Sequence, residues 1–184
     1  LGFVSGMATH VCAEEGSEFE KQIAATNPVA YWAFGASAGL GDGAKPAPGP
    51  RGPQHTGFSA GNMGVALKGG SHVVVPDEGI ESRFDFDHGD SFSVEAMVNP
   101  IELKGYSAIL TKGRTSNPGF PSDNQNWAVR LTSVGGQAGV NFLFRSRAGD
   151  HGSADWHRWT SKEGFVVGSG WHHVALSYTF GKPE

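Results

Sequence analysis

From Gly64 onward apolar side chains recur at every second position, and no window sustains the 3.6-residue period of an amphipathic helix. In the run from Phe92 to Val98, Phe92, Val94, Ala96 and Val98 make one apolar face opposite Ser93, Glu95 and Met97. Trp127, Val129 and Leu131 alternate with Ala128 and Arg130, and Val140, Phe142 and Phe144 alternate with Asn141, Leu143 and Arg145. Val174, Leu176, Tyr178 and Phe180 share a face against His173, Ala175, Ser177 and Thr179. Each such strand has one face to bury, and with no helices between the strands the cover has to be a second sheet. The pattern predicts an all-β fold, two antiparallel sheets packed as a sandwich or jelly roll.

The N-terminal part reads differently. Ser17 and Glu20 have the S-x-x-E spacing of a capping box, in which the Ser17 hydroxyl and the Glu20 carboxylate satisfy each other's free backbone N–H groups. Phe19 and Ile23 fall on one face, and Asn27-Pro28 ends the segment because the residue before proline leaves the α region. A short helix is predicted over 18–26. Val29 to Phe34 is a β-rich apolar run, and residues 35–61, dense in Gly, Pro and Ala, read as a long loop. Trp32, Trp127 and Trp171 stand inside strand patterns and are expected in the core. The 28 glycines and 10 prolines disfavour a helical bundle, while 12 Phe and 5 Trp supply enough apolar volume for a real core.

Charge and cysteine usage narrow the function classes. The net charge of −4 gives the chain as a whole no basic field for nucleic acid or anionic membrane. The single cysteine, Cys12, excludes an intrachain disulfide framework. Val11-Cys12-Ala13 places small residues at the −3 and −1 positions of a signal-peptidase site ahead of Glu14-Glu15. Residues 1–13 are therefore expected to be a signal-peptide remnant or a disordered leader, and the protein to be exported to the periplasm, cell surface or exterior. No uninterrupted apolar run reaches the roughly 20 residues of a membrane span. Residues 14–28 form the helix and lead-in segment, and 29–184 the β domain.

Four motifs carry a family resemblance. They are Asn27-Pro28-Val29-Ala30-Tyr31-Trp32-Ala33-Phe34, the stretch from Val65 to Pro76 (VALKGGSHVVVP), Phe92 to Pro100 (FSVEAMVNP), and Trp171-His172-His173-Val174-Ala175-Leu176-Ser177-Tyr178. In this order and spacing the chain resembles the laminin-G-like (LamG) jelly roll of the concanavalin A-like lectin/glucanase superfamily. Met97 stands where the family usually has Trp and fills a similar apolar slot. A closer resemblance, carried by Asp123 to Leu131 (DNQNWAVRL), His157 to Lys162 (HRWTSK) and Thr179 to Glu184 (TFGKPE), is to the copy of this domain in large exported multidomain proteins of planctomycete-type bacteria. It implies that the segment is one module of a larger protein and that further strands follow the Trp-His-His strand, so that the jelly roll is incomplete at residue 184. It also implies polysaccharide, glycoprotein or neighbouring domains as partners.

Candidate chemistry is sparse. Asp123 and Asn124, with Gln125, group the hard oxygen donors that calcium prefers, and pentraxins resemble this with an Asp-Asn pair leading into the equivalent strand. The alternative for the pair is an Asx turn. Trp156 and Trp159, together with Asn126, are the candidates for stacking on and hydrogen bonding to a sugar ring, the alternative for the two tryptophans being packing at a sheet edge. His151, His157, His172 and His173 invite a metal reading that their spacing does not support, since His172 and His173 are adjacent in a strand and point to opposite faces. The E-x-D-x-E and E-x-D-x-x-E carboxylate strands of same-fold glucanases are absent, as are a G-x-S-x-G elbow and a phosphate-cradling glycine loop. The expectation is a non-catalytic binding module, carbohydrate being the favoured ligand. The alternative is an interdomain packing module without a ligand, and a glycoside hydrolase comes last. No cofactor other than calcium is expected.

Overall fold

The computed structural model of the chain describes residues 17–34, 43–79, 82–113, 126–145 and 156–181. The leader, Asp123, Asn124 and His151 lie outside the described residues. The chain forms two compact units, Leu1–Gly79 and Ile80–Glu184.

In the first unit, helix α1 spans Glu18–Ala25 and carries the expected capping box: the Ser17 N–H donates to Glu20 Oε2 at 2.7 Å and the Glu20 N–H to Ser17 Oγ at 3.3 Å. Asn27 turns the chain out at φ 49°, just before Pro28. Phe19 anchors the helix by stacking on Phe58 at 4.3 Å. Strands β1 (Lys45–Pro48) and β2 (Met63–Ala66) form a two-stranded antiparallel sheet, so part of the expected loop is strand. Pro46 and Pro48 are tolerable there because β1 has a partner on one side only and two prolines spaced by two can share the unpaired edge. The run from Val29 to Phe34 is not a strand. Val29 is 62% exposed and Trp32 37%, so the expectation of Trp32 in the core is corrected. Strand-compatible residues make a strand only as part of a ladder, and the described ladder of this unit is β1 with β2.

The second unit is the sandwich. One sheet pairs β3 (Ser91–Val98) with β8 (His172–Thr179), and the other has the order β4 (Ser107–Lys112), β5 (Trp127–Val134), β6 (Gln137–Arg145), β7 (Trp156–Thr160), all antiparallel. The β5–β6 hairpin closes on Gly135 and Gly136 at φ 57° and 83°, the two positive values that a tight turn with the right twist requires. Alternation sends Trp127, Val129, Phe142 and Phe144 of one sheet against Phe92, Val94, Leu176 and Tyr178 of the other. Phe92 lies 5.7 Å from Trp127 and 5.5 Å from Phe142, and Tyr178 5.0 Å from Phe142, ring centre to ring centre. Each fully buried ring contributes about 3 kcal/mol by burial. The Trp127 indole N–H donates to the Phe84 carbonyl at 2.8 Å, which satisfies the one polar atom this core residue carries. Trp171 is half-buried. Among the described residues no helix is long and apolar enough to cross a membrane.

Candidate functional site

The face of the four-stranded sheet turned away from this core departs from simple alternation. On it Ala128, Asn141 and Leu143 are 1%, 0% and 2% exposed, although a strand with one solvated face would leave them open. Register places Arg130 of β5 opposite Asn141 of β6, and Asn141 opposite Thr160 of β7. Asn141 uses its whole hydrogen-bonding capacity. Its Oδ1 accepts from Arg130 Nε at 3.1 Å and Nη2 at 2.7 Å, and its Nδ2 donates to the Trp159 carbonyl at 2.8 Å and to Thr160 Oγ1 at 2.9 Å. A buried amide is tolerated on these terms, and it fixes the guanidinium in one place.

Arg130 is held from its other side by Tyr106, whose ring centre lies 4.0 Å from the guanidinium carbon. Arg158 of β7 approaches the same ring, at 5.5 Å, and its Nη1 donates to the Tyr106 hydroxyl at 3.4 Å. Burial lowers the pKa of Arg130, the neighbouring Arg158 lowers it further, and Tyr106 works the other way. Tyr106 remains 50% exposed. One register step along, Arg145 of β6 faces Trp156 of β7, with its guanidinium 5.5 Å from the indole ring. By the same register, the outward strand positions carry Arg130, Arg145 and Arg158 and no carboxylate.

The sequence-predicted residues separate. Trp156 belongs to this outward face. Trp159, three positions on, points the opposite way into the core, 4.9 Å from Tyr178 and 5.6 Å from Phe144. Asn126 precedes β5 and ties it to the loop before β3: its Nδ2 donates to Asp85 Oδ1 at 2.6 Å, the same oxygen that pairs with Lys112 Nζ at 2.7 Å. Among the described residues no three His, Cys, Asp or Glu side chains gather where an ion would sit. His157 stacks on Phe144 and His172 on Phe165, while His173 pairs with Glu95 at 3.1 Å. The outer face of the β3–β8 sheet is a hydroxyl ladder, Ser91 with Thr179 at 2.8 Å and Ser93 with Ser177 at 2.7 Å, each hydroxyl already partnered.

Tyr106, Arg158 and the Asn141 latch escaped the sequence reading. Period two placed Arg130, Asn141 and Arg145 on the outward face, but Tyr106 precedes a short strand and carries no periodic signal. No protein-family model, curated protein or solved structure matches the chain.

Proposed function

We propose that the chain is a non-catalytic carbohydrate-binding module of laminin-G-like type, exported as part of a larger protein, and that it binds through the outward face of the four-stranded sheet. The observation that carries this reading is Tyr106, a half-exposed ring held against Arg130 and beside Arg158. An exposed aromatic face takes the apolar C–H face of a pyranose, and fixed guanidinium forks beside it donate to ring and hydroxyl oxygens. Trp156 with Arg145 repeats the arrangement one step along β6 and β7. The outward strand positions offer no carboxylate pair to protonate and attack a glycosidic bond, which favours binding over hydrolysis. Calcium at Asp123 and Asn124 stays in the proposal on donor chemistry alone.

The test is retention of the chain on a panel of immobilised polysaccharides, with calcium and with EDTA. Tyr106→Ala and Trp156→Ala should each weaken retention about tenfold while near-ultraviolet circular dichroism and Tm stay close to the parent's, as expected for the loss of one stacking contact. Loss of retention in EDTA makes Asp123 and Asn124 the next residues to substitute. A folded chain that no polysaccharide retains under either condition refutes the reading. That outcome leaves the packing alternative, which is favoured by a different observation: Ile101 and Val166 are 84% and 58% exposed, and the Gly168 N–H donating to the Pro100 carbonyl at 2.9 Å brings their segments together.

A further inference from the structure

Resting on that reading, we propose that the saccharide taken by this face is a polyanion, a glycan bearing carboxylate or sulfate groups, with Arg130 and Arg158 as the residues that recognise the oxyanion. The argument starts from charge pairing. Three other cations of the second unit sit with carboxylates: Lys112 with Asp85, His173 with Glu95, Lys104 with Glu102. Arg130 and Arg158 instead share one tyrosine ring, and among the described residues neither meets a carboxylate. Two guanidiniums converging without a counter-ion repel each other, and partial burial of Arg130 removes some of the water that would screen them.

An arrangement that costs free energy in the unbound protein is relieved by a ligand oxyanion placed between the two forks. Arginine suits that role because its planar donor fork matches carboxylate and sulfate oxygens in pairs. The Asn141 latch takes two of the five donors of Arg130, leaving the others for a ligand. Tyr106 and Trp156 add ring surface to the charge, a combination that fits a sugar acid better than an acidic peptide. A nucleic acid presents a charge about every 1.7 Å of duplex and calls for a broad basic field, whereas this chain carries −4 overall and sets three arginines on this sheet face.

The experiment uses the whole chain in binding titrations against polygalacturonate, dextran sulfate, neutral dextran, polyglutamate and double-stranded DNA, at low and high sodium chloride. The expected result is binding to one or both anionic polysaccharides that weakens about tenfold or more between 50 and 500 mM salt, with little binding to dextran. Arg158→Ala should lose about tenfold in affinity and Arg158→Lys less, since lysine keeps the charge but not the fork. Arg158 is exposed, so its loss leaves the fold intact, and Arg130→Lys serves as the second variant. Polygalacturonate against dextran sulfate separates carboxylate from sulfate recognition. Equal, salt-insensitive binding of dextran overturns the polyanion inference while leaving carbohydrate binding standing. Tighter binding of DNA or polyglutamate than of any polysaccharide, or an Arg158→Ala variant that binds the anionic glycans as the parent does, also overturns it. Binding to nothing in the panel overturns both readings.

Discussion

Asn141→Ala is the substitution through which the structure makes its sharpest claim. The side chain is fully buried and takes part in four hydrogen bonds, two from Arg130 and one each to the Trp159 carbonyl and Thr160. Losing the two bonds to neutral partners costs about 1 kcal/mol each. The bond pair from the guanidinium is worth more in a dry site, but Arg130 is only half-buried and recovers water, which leaves about 1.5 kcal/mol. The vacated volume adds about 1 kcal/mol. The total is about 4.5 kcal/mol, or a Tm lowered by roughly 15 °C for a chain of this size. Guanidinium titration followed by near-ultraviolet circular dichroism reads it directly, because the aromatic signal reports the sandwich core. A cycle with Arg130→Ala should show a coupling of about 1.5 kcal/mol, the double variant losing less than the two singles together. A loss under about 1 kcal/mol for Asn141→Ala, or additivity within about 0.5 kcal/mol, would refute the latch.

Three further outcomes follow from other parts of the fold. A Cβ added at Gly164 would sit 2.6 Å from the Ala138 carbonyl oxygen, backbone that cannot swing aside, so Gly164→Ala should break the Ala138–Phe165 bridge and cost about 2–3 kcal/mol by urea titration. Ser17→Ala removes the acceptor for the Glu20 N–H and should destabilise α1 by about 1 kcal/mol, seen as faster amide exchange in its first turn with the sandwich amides unchanged. The pKa of Tyr31 is raised above 10.0, first by burial and then by the Glu20 carboxylate. A raised folded-state value means that the stability tied to this phenol is intact below pH 10 and falls away as pH rises through the folded value. Tyr31→Phe should flatten that alkaline limb and remove one phenol transition from an ultraviolet titration.

Much of the sandwich was legible in the sequence because strand faces are written at period two. Phe92, Val94, Trp127, Val129, Phe142, Leu176, Tyr178 and Phe180 all lie where alternation puts them, and the capping box of α1 forms as its spacing requires. Local chemistry suffices for these, since a cap closes within four residues and a pleat alternates without reference to its neighbours. The pattern failed at Trp32, which is 37% exposed in a run that is not a strand, and at β1, where two prolines hide a strand that its partner β2 supports. Pairing is a long-range event, and a single segment carries no record of it.

The candidate site divides in the same way. Periodicity alone puts Arg130 and Arg145 outward, whereas the separation of Trp156 from Trp159, three apart and so on opposite sides, and the outward place of Arg158 follow only once β7 is known to be a strand. That Arg130 is latched by Asn141, that Asn141 spans β5, β6 and β7, and that Tyr106 reaches both Arg130 and Arg158 depends on sheet register. Those side chains come from β5, β6, β7 and the residue before β4, up to 52 positions apart in the case of Tyr106 and Arg158. The sequence by itself determined which residues look inward and which outward. Only the tertiary structure decided which outward residues meet, because strand order and register are set by burial of the shared aromatic core rather than by the outward residues that they bring together.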